Sequence, residues 1–362
     1  MKTSIIYWGI ICFIFLSCSQ SSSKKDVTEI VITNSVPELS LTHDSLTAIN
    51  EIGIGDIAVA DTFLMILQPD KEDILNVYSL PTLRFAGACQ KMGGGPNEIV
   101  YPAPFTQSFK KKGEICTVMR SYQKFTALLN LTQSLAERQT VYDEKYTYQK
   151  PVGQESFRRS SITYLLGDSI LLLNENPGMR SAEEEANDLF EVYDYRQDKI
   201  VRSFYASDFP DIVKNINGGS TFWSTRQAIR SDCRKLAIAY RLFNIINIVD
   251  IPTGKVKILY TGGEKPNWEK AIGTPKEHYS KLQCDEKYIW AMTTDHTDPS
   301  HLYSKLEVYD WDGNYLHKIN LDQPILMFAL DNKHGYMYAV TTDDELIRYQ
   351  YPRTLKPITT IN

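Results

Sequence analysis

Short apolar segments that alternate with polar turns recur along almost the whole chain. The repeated unit is an apolar strand, a loop, a second alternating strand that ends near an aromatic residue, and a third strand. The second strand of each unit ends near one of six anchor positions: Tyr78, Leu129, Tyr193, Val249, Tyr309 and Tyr349. The intervals between these anchors are 51, 64, 56, 60 and 40 residues, which are blade lengths with insertions. The pattern predicts an all-β six-bladed β-propeller, with a pair of β-sandwiches as the structural alternative.

Turn sequences separate the second and third strands of several units. Residues 79–82, 251–254 and 311–314 contain Pro or Asp-Gly. Glycine tolerates a positive φ and proline presets φ, so both residue types favour hairpins. A ring of blades also has to be closed. The β-prone segment 28–33 is predicted to close it by adding an outer strand to the last blade.

Two inserts depart from the strand pattern. Residues 181–188 form an acidic run within the third unit. Residues 274–281 begin like a helix, because Thr274 stands before a proline at the first turn. Both charged stretches are interpreted as solvated faces.

A leader precedes the repeats. The apolar run from Ser4 to Leu16 is too short to span a bilayer permanently, but it fits a secretory signal. A small residue and Cys18 follow this run, and the arrangement resembles the lipobox of bacterial lipoproteins. The alternative is a simple cleaved signal, or a core helix whose cysteine is incidental. The predicted organisation is a lipoprotein signal peptide over 1–17, a flexible tether over 18–27 that starts at lipidated Cys18, and the propeller over 28–362.

The leader and the charge balance together predict a location. Removal of residues 1–17 shifts the formal net charge from −5 to −6, because Lys2 is lost. A mildly acidic chain without a basic stripe does not predict a nucleic-acid partner. No later apolar run is long enough to cross a bilayer. The sequence therefore predicts a cell-envelope protein that is attached to the membrane through its lipid anchor only.

Four cysteines remain after the leader and the lipidated residue. Cys89, Cys116, Cys233 and Cys284 are far apart, and they lie mostly in apolar strand-like segments. An oxidising envelope permits disulfides, and four cysteines allow three pairings. The spacing favours none of the pairings. Buried small hydrophobic residues are the favoured interpretation.

One glycine-rich segment is the most distinctive motif of the chain. Residues 91–99 are followed by Tyr101-Pro102 and include the blade-junction residues Gly93, Gly95, Pro96, Asn97 and Glu98. The segment resembles the G-x-G-P-x-E-[FIY] motif of six-bladed propeller lipoproteins of the Bacteroides group, described as TolB-like or NHL-like. The chain has a single clear copy, unlike an NHL array.

That resemblance implies a fold more than an activity, because fold does not determine function. The chain lacks the N-terminal α/β domain of TolB, so a Tol–Pal role is not implied. It also lacks the acidic run that follows the lipidated cysteine in surface-exported lipoproteins of this group. The resemblance therefore favours the periplasmic face of the outer membrane.

Candidate chemistry concentrates in one polar stretch of the fifth unit. Its Asp295, His296, Asp298 and His301 are residue types that ligate metals or perform acid–base catalysis. The alternative is a solvent-facing loop. Further carboxylates that a propeller can direct into its central channel are Asp56, Glu98 and Asp232. A loose dinucleotide pattern over 53–58 is followed by a strand where that motif needs a helix, so it is taken as accidental.

Aromatic residues between the predicted blades suggest a binding surface. Trp223 with Arg226, and Trp268, can give a protein or glycan partner large, rigid and amphipathic contacts. The alternative is that these rings wedge between blades. We expect a binding or scaffold module for an envelope protein or glycan, with no cofactor and no metal. The rival hypothesis is a propeller hydrolase or lyase that uses channel histidines, carboxylates or a metal.

Overall fold

The protein is described here by a computed structural model that covers residues 26–46, 49, 51–122, 124–147, 160–175, 189–207, 224–274, 276–295 and 303–352. Its first three strands come from the N-terminal segment: β1 (Val27–Val31), β2 (Glu38–Leu41) and β3 (His43–Ser45). Each of them pairs with a strand far along the chain. The remaining strands form six meanders in chain order.

The first three blades each have four strands. Blade 1 contains β4 (Asp56–Ala60), β5 (Phe63–Leu67), β6 (Asp73–Ser79) and β7 (Arg84–Lys91). Blade 2 contains β8 (Ser108–Lys111), β9 (Glu114–Ser121), β10 (Phe125–Asn130) and β11 (Tyr142–Thr147), with helix α1 (Leu131–Glu137) before β11. Blade 3 contains β12 (Ser160–Gly167), β13 (Ile170–Glu175), β14 (Leu189–Asp194) and β15 (Lys199–Tyr205).

The last three blades take in the N-terminal strands. Blade 4 contains β16 (Thr225–Ile229), β17 (Lys235–Tyr240), β18 (Ile245–Asp250) and β19 (Lys255–Tyr260), with β1 outside β19. Helix α2 (Trp268–Gly273) leads to blade 5, which contains β20 (Lys281–Cys284), β21 (Tyr288–Asp295), β22 (Tyr303–Asp310) and β23 (Tyr315–Leu321), with β2 outside β23. Blade 6 contains β24 (Ile325–Asp331), β25 (Tyr336–Thr341) and β26 (Leu346–Gln350), with β3 as its outermost strand. The predicted six-bladed propeller is confirmed.

Hydrophobic packing between blades holds the ring together. Six clusters of buried residues each join two neighbouring blades, in the pairs 1–2, 2–3, 3–4, 4–5, 5–6 and 6–1. The six anchor positions predicted from the sequence all lie on the third strand of a blade and are buried. A sheet with both faces packed against neighbours reads as an apolar run, which explains why these strands were recognisable.

Closure of the ring differs from the prediction. The segment 28–33 lies largely in β1, which pairs in parallel with β19 of blade 4. The last blade is completed by β3, which pairs antiparallel with β26 and brings Asp44 within 3.1 Å of Arg348. An outermost strand is held by main-chain hydrogen bonds and charge, so it does not need the apolar pattern that identified 28–33.

The predicted helix start at Thr274 is also wrong. The helix of this region is α2, which begins after its N-cap Asn267 and ends before Thr274. Asn267 accepts a hydrogen bond from the main-chain N–H of Lys270 at 3.0 Å, and this contact satisfies a free donor of the first turn. The acidic insert 181–188 lies outside the described residues.

Candidate functional site

The two faces of the propeller are built differently. The first strand of every blade is innermost, and the first residues of β4 and β20 meet, since Lys281 Nζ lies 2.6 Å from Asp56 Oδ1. The inner strands therefore start at a common face, here called the loop face. At this face, five pairs of consecutive strands are separated in the sequence by 12 or more residues, and the two largely described connections of this kind are 92–107 and 261–280. The opposite face, here called the turn face, has connections of two to five residues, apart from the one that contains α1.

A central channel runs between the two faces. Its volume is about 1170 Å³, and residues of all six inner strands or of their flanks line it. Among the described lining residues, the cationic ones are Arg120, Arg226, Arg230, Lys281, Lys287 and Lys333. The acidic lining residues in the same part of the chain are Asp56, Asp285 and Glu286. The channel is thus net positive inside a protein whose formal net charge is −5, and a channel of one sign attracts ligands of the opposite sign.

An ion pair crosses the loop-face end of the channel. Asp56 is 2% exposed; its Oδ1 accepts a hydrogen bond from Lys281 Nζ at 2.6 Å, and its Oδ2 accepts one from the main-chain N–H of Phe105 at 2.8 Å. Three blades therefore meet at one carboxylate. Both oxygens of Asp56 accept hydrogen bonds, so this carboxylate holds the parts of the entrance together. Its single negative charge balances only one of the cations there.

Arg226 also lies at this end, and no carboxylate of the described residues accepts a hydrogen bond from it. Its Nε donates to the main-chain carbonyl of Ser280 at 2.6 Å, and one terminal nitrogen lies 3.4 Å from the carbonyl of Thr225. Burial lowers the pKa of its guanidinium, and the nearby Arg241 lowers it further. The neighbouring Glu277 is engaged by Arg241, at 2.9 Å. Arg226 is thus a half-buried positive charge that main-chain carbonyls orient within the channel.

Aromatic side chains surround the same entrance. The guanidinium of Arg120 lies 5.0 Å from the ring centre of Tyr122, which lines the channel and is 40% exposed. The main-chain N–H of Tyr122 donates to Tyr101, whose side chain is 67% exposed. Leu326 adds an exposed aliphatic surface to the lining. Positive charge beside exposed ring faces suits an anionic ligand that also has flat or apolar surfaces.

Two charged groups at the turn-face end, Arg230 and Asp285, are held by local contacts. Arg230 forms two hydrogen bonds with Asp232, at 2.9 and 2.6 Å, and lies over the Trp311 ring at 5.5 Å. Asp285 accepts hydrogen bonds from the main-chain N–H groups of Lys287 and Tyr288, at 2.7 and 2.8 Å. These contacts hold the tight turns in place.

The structure places one predicted aromatic-site residue in the channel and another elsewhere. Arg226 lines the channel, as described above. Trp268 begins α2 and packs edge-on against Phe243, with 5.3 Å between ring centres, in the hydrophobic cluster between blades 3 and 4. This contact corresponds to the alternative in which the ring wedges between blades. Trp223 lies outside the described residues.

The predicted polar loop lies almost entirely beyond the described part of the chain. Asp295 ends β21, where its main chain pairs with Tyr303. His296, Asp298 and His301 lie outside the described residues. Within the described ranges, no group of three or more His, Cys, Asp or Glu side chains is arranged to hold a metal ion.

Two carboxylates predicted for the channel lie elsewhere. Asp232 pairs with Arg230 in the turn after β16 and is absent from the described channel lining. Glu98 folds over the glycines of its own segment, because the main-chain N–H of Gly95 donates to its carboxylate at 2.7 Å. Both predictions fail for the same reason, which is that a local donor captures the carboxylate. Asp56 does line the channel.

The glycine-rich segment forms a compact junction between blades 1 and 2. A Cβ added at Gly93 would lie 2.2 Å from Glu98 Oε2, so only glycine leaves room for that carboxylate. Lys124 Nζ donates to three carbonyls of the segment, those of Gly94, Gly95 and Glu98. Lys145 Nζ donates to the carbonyl of Pro96 and, at 3.2 Å, to Asn97 Oδ1. The motif thus presents carbonyl oxygens that accept hydrogen bonds from two lysines.

The four remaining cysteines are free thiols. Cys89 and Cys116 are buried, while Cys233 and Cys284 are partly buried. Burial raises the pKa of both Cys89 and Cys116 to about 12. These thiols behave as small apolar residues.

Sequence reasoning missed several channel residues, including Arg120, Lys281 and Lys333. Each of these residues lies on an inner strand, beside one, or in an adjoining turn. The repeat units recognised in the sequence began with the second strand of each blade, so they left out the inner strands. The sequence of β20 contained a usable signal. A short strand with a lysine and a glutamine among apolar residues is typical of a sheet with one solvent-facing side. The partner of that lysine lies 225 positions away and is not recognisable locally.

Comparison with known proteins identifies the family. Residues 55–333 match the model of the TolB-like 6-blade propeller-like family, so the chain belongs to that family. No curated protein matches this chain. Within the described residues, no helix is both long and apolar enough to cross a membrane.

Two solved structures from Bacteroides species show the same fold at low sequence identity. A member of the DUF4221 family from Bacteroides vulgatus is 12% identical, with a TM-score of 0.52 over 86% of this chain and 91% of that chain. A putative exported protein from Bacteroides fragilis is 13% identical, with a TM-score of 0.51 over 89% of this chain and 98% of that chain. Raptor from Chaetomium thermophilum is 12% identical, with a TM-score of 0.49 over 85% of this chain and 28% of its own length.

Proposed function

We propose that this TolB-like propeller is an extracytoplasmic binding module, tethered to a membrane through Cys18, that holds a carboxylate-bearing ligand at the loop-face end of its channel. The leader over 1–17 and the polar segment after Cys18 support the tether. The similar Bacteroides fragilis protein is described as exported, which supports the location.

One observation carries the choice of ligand. Arg226 is half-buried in the channel, and in the described chain only main-chain carbonyls accept hydrogen bonds from it. Burying a cation costs free energy unless an anion or a strong acceptor compensates for the lost water. A ligand carboxylate supplies that compensation and pairs with the planar guanidinium in a bidentate geometry.

The surroundings of Arg226 narrow the ligand class. The lining near the loop face also includes the Tyr122 ring and the hydroxyl groups of Ser224 and Ser280. Ring faces stack on sugar rings or other flat surfaces, and hydroxyls exchange hydrogen bonds with sugar hydroxyls. An acidic oligosaccharide combines these features, so trigalacturonate is a suitable probe and maltotriose its neutral counterpart.

Calorimetric titration of the full chain with both probes tests the proposal. Trigalacturonate is expected to bind and maltotriose is not. Arg226→Gln is expected to weaken the binding of trigalacturonate by about tenfold or more, because a charge-assisted hydrogen bond is lost. The matched control is Arg196→Gln, an exposed arginine in a turn-face connection. Equal affinity for the two probes, or equal losses in both variants, would overturn the proposal.

The tether is tested separately by metabolic labelling with a clickable fatty acid. The wild-type chain is expected to incorporate the label and to sediment with membranes. Cys18→Ala is expected to lose both properties. Label retained by Cys18→Ala would refute the anchor without affecting the channel assignment.

A further inference from the structure

The outer edges of blades 4 and 5 each carry an added parallel strand. On blade 4, β1 lies alongside β19, where the main-chain N–H of Val256 donates to the main-chain carbonyl of Asp26 at 3.1 Å and that of Ile32 donates to the main-chain carbonyl of Tyr260 at 2.9 Å. On blade 5, β2 lies alongside β23, and the N–H of Lys318 donates to Pro37 at 3.1 Å. The outermost strand of a blade in this fold thus accepts a further strand in parallel orientation.

Carboxylates on the added strands pair with lysines on or near the receiving strands. Lys255 lies 2.6 Å from Asp26, and Lys318 lies 2.7 Å from Glu38. Glu29 accepts a hydrogen bond from the Tyr260 hydroxyl at 2.7 Å. Strand addition is therefore combined with charge pairing on both blades, which gives the added strand its register.

The outer strand of blade 3 has the same framework as that of blade 4. In both blades, the outer strand begins with a lysine that pairs with the last residue of the third strand, Lys199 in β15 and Lys255 in β19. In both blades it ends with a tyrosine that pairs with the first residue of the third strand, Tyr205 and Tyr260 respectively. β15 thus carries a lysine and a tyrosine at the positions from which Lys255 and Tyr260 of β19 contact the β1 segment.

The two outer strands differ in how much of their apolar surface is covered. Val256 and Ile258 of β19 are 4% and 6% exposed. In β15, Ile200 is 39% exposed and Val201 is 58% exposed. Among the described residues, the blade 3 sheet ends at β15. β15 is therefore a strand edge with exposed branched side chains and cationic residues, including Arg202.

A β-bulge in β15 is compatible with strand addition. Val201 is the extra residue, because Ile200 and Arg202 pair with consecutive residues of β14. Blade 5 has the same irregularity at Leu316, and β2 pairs with the residues beyond it. A bulge at this position therefore leaves the rest of the edge available.

The outer edges of the other two blades have neighbours within the described chain. A Cβ added at Gly87 of β7 would lie 3.0 Å from Leu135 of α1, so the helix packs against that strand. On β11, the side chains of Lys145 and Tyr142 reach the carbonyls of the glycine-rich junction. Among the described residues, neither outer strand combines exposed branched residues with a lysine outside any ion pair in the way that β15 does.

We propose that the outer edge of blade 3, β15, binds an extended acidic segment of a partner protein as an added parallel strand. The partner strand pairs with the residues beyond the bulge, as β2 does on β23, and the residues that precede it place a carboxylate beside Lys199 and branched side chains beside Ile200 and Val201. This surface lies on the rim of the disc and is independent of ligand binding in the channel.

The probe is a labelled, end-blocked peptide with the sequence of residues 26–33, which is the strand that the protein already uses on blade 4. Fluorescence anisotropy with the full chain measures its affinity, and amide hydrogen exchange locates it. Saturable binding is expected, with new protection at residues 199–205. Absence of binding at millimolar peptide, or protection confined to β19, would overturn the proposal.

Matched variants test the edge itself. Val201→Asp is expected to weaken peptide binding by about tenfold or more, because a carboxylate on the rim repels the acidic peptide and removes an apolar contact. The control is Ala86→Asp, since Ala86 is the exposed bulge residue of β7 in blade 1. Both positions are exposed, so both variants are expected to fold. Equal losses in the two variants would contradict the assignment.

A charge swap tests the pairing and separates the partner from a second copy of the chain. Lys199→Glu is expected to weaken the binding of the wild-type peptide, and a peptide carrying Asp26→Lys is expected to restore it. Sedimentation of the chain without peptide is expected to show no dimer that depends on Val201. A dimer that Val201→Asp dissolves would overturn the partner assignment in favour of self-association through this edge.

Discussion

The loop face and the turn face of the disc use opposite ends of the same strands for different purposes. On the turn face, hydrogen bonds within the turns occupy the polar groups, as in the turn of residues 310–314, where Asp310 Oδ1 accepts from two main-chain N–H groups at 2.9 Å. On the loop face, the half-buried Arg226 lies at the channel entrance, and the described connections 92–107 and 261–280 are long. A tight turn satisfies its own chain, whereas a long connection can direct groups toward a ligand.

The two ends of β4 give the strongest test of this comparison. Asp56 at the loop-face end is buried with Lys281, while Asp61 at the turn-face end is 27% exposed beside Lys110. Asp56→Asn is expected to lower the free energy of unfolding by about 3 kcal/mol, because it leaves the partly buried Lys281 without its charge partner. Asp61→Asn is expected to cost less than about 1 kcal/mol, as for exposed ion pairs. Urea denaturation of both variants measures the difference.

The outcome at β4 also decides which face carries the stabilising charges. A larger loss for Asp61→Asn would mean that the turn face carries the stabilising charges, and the comparison of the faces would be reversed. The Lys110 hydrogen bond lowers the pKa of Asp61 below its ordinary value of 3.8. The contribution of Asp61 is therefore present above pH 3.8 and is lost as the pH falls through the folded pKa.

Two glycines with similar φ angles, one on each face, show how side-chain packing around the backbone differs between the faces. Gly313 in a turn has φ +89°, and a Cβ there would lie 2.8 Å from the buried side chain of Leu259. Gly263 in a loop-face connection has φ +82° and nothing within 4 Å of such a Cβ. Substitution by alanine is expected to cost about 2 kcal/mol at Gly313 and about 1 kcal/mol at Gly263. Equal shifts of the thermal midpoint would show that backbone strain alone governs both sites.

A partly buried carboxylate gives the third test, through the pH dependence of stability. Glu307 accepts hydrogen bonds from the hydroxyls of Tyr279 and Tyr309, at 2.9 and 2.8 Å, and so joins a loop-face connection to blade 5. Burial raises the pKa of Glu307 above its ordinary value of 4.5. The folded state then retains a proton that the unfolded chain releases, so stability falls as the pH rises from 4.5 through the folded pKa.

Glu307→Gln removes this titration and keeps an acceptor for the tyrosine hydroxyls. The variant is expected to be at least as stable as the wild type at neutral pH, and to lose the decline between pH 4.5 and the folded pKa. Urea midpoints from pH 4 to 8 measure both effects. A decline of the same slope in the variant would assign it to another group.

The sequence predicted the strands that are packed on both faces, and it did not predict the strands that line the channel with one face. Strands such as β13, with Leu171, Leu172 and Leu173, are covered on both faces and read as apolar runs. Inner strands such as β8 and β20 are short and mixed, because one face lines the channel, so the repeat was recognised from the second strand onward. The ion pair of Asp56 and Lys281 depends on ring closure, which no local pattern contains.

Individual site residues show the same division. Arg226 was recognised because it stands near an aromatic pair, yet its placement in the channel follows from its position on an inner strand. Trp268 carried the same aromatic signal and packs between blades. Residue type alone does not distinguish a ring that packs from one that faces a ligand, since both uses favour large amphipathic side chains.

Ring closure by β3 also sets the order of events during synthesis. Asp44 and Arg348 are separated by 304 positions, so β3 pairs only when the last blade has been made. The strands β1 and β2 can join β19 and β23 earlier, but until β26 is made β3 has no edge to join and the disc is open between blades 6 and 1. Contacts of such long sequence separation form slowly, because the closure entropy is paid before they stabilise the fold. The chain therefore reaches its native state only after translation is complete, which suits a polypeptide that is moved across a membrane before it folds.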